Sequence, residues 1–78
     1  MATIRTFDIL VQDKEREQND SEASLVLLKI NGERFVQLNS YGSSERVNVG
    51  APSQNMRLTK AAFEELVLRG TAHFSVAR

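Results

Sequence analysis

The sequence contains no cysteine and no tryptophan, and only one proline, one tyrosine and one histidine. Without cysteine there is no disulfide, no thiolate ligand and no thiol nucleophile. One histidine and no cysteine leave no ligand spacing for a zinc site, so neither metal nor cofactor is expected. No apolar run approaches the ~20 residues a membrane helix needs. The N-terminus lacks the basic region and apolar stretch of a secretory leader, so a soluble cytoplasmic protein without a membrane partner is expected. Nor is there an excess of one charge: ten basic and ten acidic residues give a net charge of zero. That balance disfavours strong non-specific nucleic-acid binding, which rests on surplus Lys and Arg.

The charge is nevertheless unevenly spread. Segment 12–22 holds five acids (Asp13, Glu15, Glu17, Asp20, Glu22) and two bases (Lys14, Arg16), a net of −3. Segment 23–62 holds five bases (Lys29, Arg34, Arg46, Arg57, Lys60) and two acids (Glu33, Glu45), a net of +3. At 8.8 kDa the chain is expected to form a single domain, residues 1–78. A domain this small buries only ~60% of its unfolded surface, so a partner subunit would supply burial it lacks.

Alternation of Phe7, Ile9 and Val11 predicts a first strand over Thr3 to Val11. "QDKEREQNDSE" has no apolar residue and reads as a mobile polar loop at about 12–22. The strongest local signal is "SLVLLKINGERFVQLNSY". Two β-rich runs flank Asn31-Gly32, the pair favoured in a two-residue turn because both positions need positive φ. Such a turn pairs Ile30 with Glu33, Leu28 with Phe35, Val26 with Gln37 and Ser24 with Asn39. On the opposite face it pairs Lys29 with Arg34, Leu27 with Val36 and Leu25 with Leu38. A slip of one residue would exchange the faces. The all-apolar pairs predict the core face. The other face is mixed and ends in Tyr41.

Residues 42–55 are rich in Gly, Ser and Asn, and Val47 and Val49 allow a short strand there. Met56 to Leu58 reads as another strand. Thr59 is a good N-cap. Phe63, Leu66 and Val67 form a helical stripe, and Glu65 precedes Arg69 at the favourable spacing of four. Gly70 predicts the helix stop, giving a helix over Lys60 to Arg69. The alternation of Ala72, Phe74 and Val76 then predicts a last strand. The expected fold is α+β: an antiparallel curved sheet of four to five strands with one helix near the C-terminus, in the order β-β-β-β-α-β, assembled as a homodimer.

Catalysis finds little to work with. His73 has no nucleophile or acid placed beside it by the sequence. Ser43 and Ser44 lack an elbow or base motif, and adjacent helical Glu64 and Glu65 point in different directions. The mixed face is the better candidate. Bases stack on aromatic rings at ~1–3 kcal/mol each, and amides bond base edges without net charge. Phe35, Tyr41, Gln37 and Asn39 would meet bases; Lys29, Arg34, Arg46 and Arg57 would meet phosphates. Against this, Phe35 reads more readily as packing under a partner sheet, while for Tyr41 stacking and packing stand level. Lys29 and Arg34 as a cross-strand pair read either as side chains splaying apart near the turn or as an anion-attracting tip.

The Asn31-Gly32 hairpin, the strand "FVQLNSY" and "LTKAAFEEL" (Leu58 to Leu66) together resemble the single-stranded-DNA-binding domains of positive cofactor four-type transcriptional coactivators. Pur-alpha and Whirly proteins share the wider four-strands-then-helix plan. The likeness spans roughly Leu25 to Leu68. It implies a dimeric, non-catalytic protein of transcription, replication or repair that binds single-stranded DNA, or RNA, on its sheet. In that family basic and aromatic residues line the hairpin tip and third strand. Here the tip is Ile30-Asn31-Gly32-Glu33, Asn39 stands where a basic residue is expected, and Gly42 follows Tyr41 where another ring is expected. The segment after Gly70 departs as well. The alternative is a protein-interaction or oligomerisation module on the same fold, which the balanced charge favours.

Overall fold

The computed structural model describes residues 2–12, 17–18, 20–41 and 54–76. It is a small α+β domain with strands β1 (Thr3–Ile4), β2 (Ala23–Ile30), β3 (Glu33–Ser40) and β4 (Gln54–Leu58), then helix α1 (Lys60–Phe74). The sheet order is β1-β4-β3-β2. β2, β3 and β4 pair antiparallel, and β1 joins β4 in parallel, so the sheet is mixed. Arg46, and the short strand expected around Val47 and Val49, lie outside the described residues, as does part of the 12–22 segment.

The turn sets the frame. Asn31 and Gly32 have φ of 52° and 82°, the left-handed values that a two-residue turn between right-twisted strands requires. The resulting register pairs Ile30 with Glu33, Lys29 with Arg34, Leu28 with Phe35 and Leu27 with Val36, and so on to Ala23 with Ser40. This is the register expected from the sequence. β4 extends each rung: Val36 pairs with Leu58, Gln37 with Arg57, Leu38 with Met56, and Asn39 with Asn55.

Two faces follow. The apolar face carries Leu25, Leu27, Val36, Leu38, Met56 and Leu58, with Lys29 and Arg34 near the turn. Leu58, Thr59 and Ala62 are the buried residues among those described, so the core sits where β4 turns into the helix. Beside it a groove is lined by Leu27, Val36, Leu58 and Phe63. The helix does not reach the far strands: Leu25 stays 64% and Leu27 76% exposed.

The first strand is shorter than its alternation predicts. The amide of Arg57 donates to Ala2 O at 2.8 Å and that of Thr59 to Ile4 O at 3.2 Å. Beyond Thr59 the partner chain is helical and offers no ladder, so pairing stops at Ile4. The segment from Phe7 to Gln12 instead lines a cleft with Leu66, Arg69, Gly70 and His73 of the helix. Phe7 is half-buried there.

The helix begins as expected. Thr59 is extended (φ −72°, ψ 169°), and its hydroxyl accepts from the Ala62 amide at 3.2 Å. Arg69 and Glu65 pair at 2.5 Å, and Lys60 pairs with Glu64 at 2.8 Å. It does not stop at Gly70. It continues to Phe74, where the Ser75 amide and hydroxyl both donate to Thr71 O, at 3.1 and 2.7 Å. The expected final strand is therefore helix over 71–74, and His73 is a helical residue. Propagating a formed helix gains a hydrogen bond per residue, which offsets the ~1 kcal/mol that an interior glycine costs. A strand there would also need a sheet edge to pair with. Among the described residues no helix is long and apolar enough to cross a membrane.

Gly70 provides a test. A Cβ there meets nothing within 4 Å, and its φ is not left-handed. Gly70→Ala is expected to stabilise the fold by about 0.5–1 kcal/mol, read from urea unfolding. Loss of stability would mean that the helix ends at Gly70 in a left-handed cap.

Candidate nucleic-acid interface

The second face of the sheet is built from alternate residues of three strands. Its rungs are Leu28 with Phe35; Val26 with Gln37 and Arg57; and Ser24 with Asn39 and Asn55. Thr3 extends the middle rung across β1. All of these except Thr3 are half-buried. The Leu28–Phe35 rung is apolar, the next joins Val26 to Gln37 and Arg57, and the Ser24–Asn39–Asn55 rung is polar, so polarity rises along the strands away from the turn.

A continuous interaction runs down the polar side. The Arg57 guanidinium lies over the Phe35 ring, its Cζ 5.5 Å from the centroid. Its Nε donates to Gln37 Oε1 at 2.9 Å. Gln37 Nε2 in turn donates to Asn39 Oδ1 at 2.8 Å. A guanidinium over a ring gains about 0.5–1 kcal/mol at partly exposed sites, and more when desolvated. The ring contact and the Nε bond to Gln37 together position the group. Tyr41 closes the far end, where its hydroxyl donates to Ser24 Oγ at 3.0 Å and its amide to Glu22 O at 3.1 Å.

Of the residues selected from the sequence, Phe35, Gln37, Asn39, Tyr41 and Arg57 come together on this face. Lys29 and Arg34 do not. Their register places them on the apolar face, where they border the groove beside Lys60 and Phe63. The Glu64 carboxylate raises the Lys60 pKa, first through its hydrogen bond and then through its charge. Arg46 is outside the described residues. Near the turn, Arg5 Nη1 meets Glu33 Oε2 at 3.1 Å, which neutralises a cation at that end.

Asn55 belongs to the face and was not selected from the sequence. Its Oδ1 is buried without a hydrogen-bond partner among the described residues. Only the β3–β4 register reveals it, and the intervening segment is too long for its length to fix that register. His73 contacts Phe74 edge-on at 5.9 Å. Among the described residues no group of three His, Cys, Asp or Glu could hold a metal ion.

No family model, curated protein or solved structure matches the chain. The likeness to coactivator-type domains therefore rests on the sequence pattern alone.

The relay has a direct check. Gln37→Leu removes the acceptor that fixes Arg57 while keeping a side chain of similar bulk. It is expected to lower the unfolding free energy by about 1 kcal/mol and to remove exchange protection of the Arg57 Nε–H seen by NMR. An unprotected Nε–H in the parent protein would contradict the relay.

Proposed function

We propose that the chain is a non-catalytic, single-stranded nucleic-acid-binding domain, working in the cytoplasm as a homodimer in transcription, replication or repair. The observation that carries the reading is the strip of Phe35, Arg57, Gln37 and Asn39, which joins a π surface to fixed hydrogen-bonding groups on one half-buried sheet face. Unpaired bases present both a flat face and a polar edge, and they stack on guanidinium planes as well as on rings. A duplex hides the faces inside its stack. One or two stacks at ~1–3 kcal/mol each make a single protomer a weak binder. Two protomers on one strand would raise the affinity through effective concentration.

The dimer rests on the apolar face. Leu25 is 64%, Leu27 76%, Leu38 42% and Met56 44% exposed. Burial is worth about 25 cal/mol per Å² of apolar surface, so covering four such side chains offers a drive that the small core of one chain lacks. A second copy suits this role because it would cover the apolar face and leave the relay on the opposite face untouched. The same exposed face, with the balanced charge, favours the second reading: a protein-interaction module without nucleic-acid binding.

Fluorescence anisotropy with a labelled mixed-sequence single strand separates the readings. Micromolar binding that exceeds duplex binding is expected. Arg57→Ala is expected to weaken it about tenfold, as loss of a stacked, charge-assisted contact. Lys29→Ala and Arg34→Ala, on the other face, are expected to leave it nearly unchanged. Absence of single-strand binding at low salt would support the interaction module instead. Separately, sedimentation is expected to give twice the 8.8 kDa chain mass, and Leu27→Asp to give monomer. A monomeric parent would remove the dimer from the account.

A further inference from the structure

We infer that this face prefers guanine over adenine and thymine, reading its O6 and N7 edge through Arg57. The inference rests on the nucleic-acid reading above and specifies which base the strip selects. It begins from one constraint: arginine has only donors. Because Arg57 Nε donates to Gln37, the glutamine must turn its carbonyl oxygen toward β4. Its amide nitrogen then faces Asn39 and donates to Oδ1. The direction of every side-chain amide in the relay is thus set by the arginine at its head.

The consequence is a strip with a hydrogen-bonding sign. The oxygens of Gln37 and Asn39 each accept one bond within the relay, which leaves each one further lone pair. The oxygen of Asn55 is buried, so it is not offered to a ligand. The Arg57 terminal nitrogens and Asn39 Nδ2 have no hydrogen-bond partner among the described residues. At Arg57 an incoming base therefore meets only donors. Guanine presents two adjacent acceptors, O6 and N7, which match the two terminal nitrogens of a guanidinium. Adenine sets an amino donor beside N7 or N1, and thymine's two carbonyls flank a ring N–H, so neither offers such a pair; cytosine's O2 and N3 are the other adjacent acceptors.

A phosphate would also accept two such bonds. The charge distribution favours the base edge. Lys29 and Arg34 lie on the other face, and Arg5 is held by Glu33. Arg57 is left as the strip's one cation without a carboxylate partner among the described residues. Tracking a backbone needs several cations in a row, whereas one fixed guanidinium suffices for a base.

The test compares three labelled strands: a TTG-repeat 12-mer, a TTA-repeat 12-mer, and the TTG repeat with every guanine replaced by 7-deazaguanine, which lacks the N7 acceptor. The TTG strand is expected to bind about tenfold more tightly than the TTA strand, the range of one bidentate contact. The 7-deaza strand is expected to lose that advantage. Arg57→Lys is expected to lose it too, because an ammonium cannot form the paired contact. Equal binding of TTG and TTA strands would overturn the guanine preference and leave the nucleic-acid reading intact through phosphate contacts. A preference that survives 7-deaza substitution would overturn it as well. Failure of all three strands to bind would overturn the inference together with the reading it rests on.

Discussion

The two-residue turn at Asn31-Gly32 is the constraint on which the rest of the structure depends. Two consecutive left-handed residues leave one way for the flanking strands to pair. Because side chains alternate with period two, that choice decides which residues share a face. Phe35, Gln37 and Asn39 become neighbours of Val26 and Leu28, and Leu25, Leu27, Val36 and Leu38 gather on the reverse. A different turn length would mix the two sets. The polar relay and the apolar face are both products of this local geometry.

The second constraint is the corner between β4 and the helix. Leu58, Thr59 and Ala62 are buried together, and the Thr59 hydroxyl caps the first turn. Arg57 precedes this corner by one residue, so its side chain points to the face opposite Leu58. The segment that anchors the helix thereby fixes the arginine against Phe35. Stability and the candidate site are coupled through adjacent residues. The small core at this corner leaves apolar surface over, so the fold itself favours covering one face.

Much of this was legible in the sequence, for physical reasons that differ by element. The hairpin register followed from the needs of the Asn-Gly pair, and the N-cap from the hydroxyl of Thr59. The polar face followed from the register, including Gln37 and Asn39. The other elements depended on tertiary context. Alternation at Phe7, Ile9 and Val11 suggests a strand, but β4 has already turned into helix where a partner would be needed. Gly70 resembles a helix stop, but the helix continues through it to Phe74. The hairpin register also separates Lys29 and Arg34 from Gln37 and Asn39 by the thickness of the sheet. Asn55 was hidden by a long intervening segment that leaves the β3–β4 register unspecified.

The central claim is that the two faces divide the labour: the relay meets ligand and the apolar face meets a partner. Chemical-shift mapping by NMR during titration with a single strand tests this most directly. The account predicts perturbations at Gln37, Asn39, Tyr41 and Arg57, with Leu25, Leu27, Leu38 and Met56 unmoved. Perturbations concentrated at those four apolar residues, with the relay silent, would contradict it.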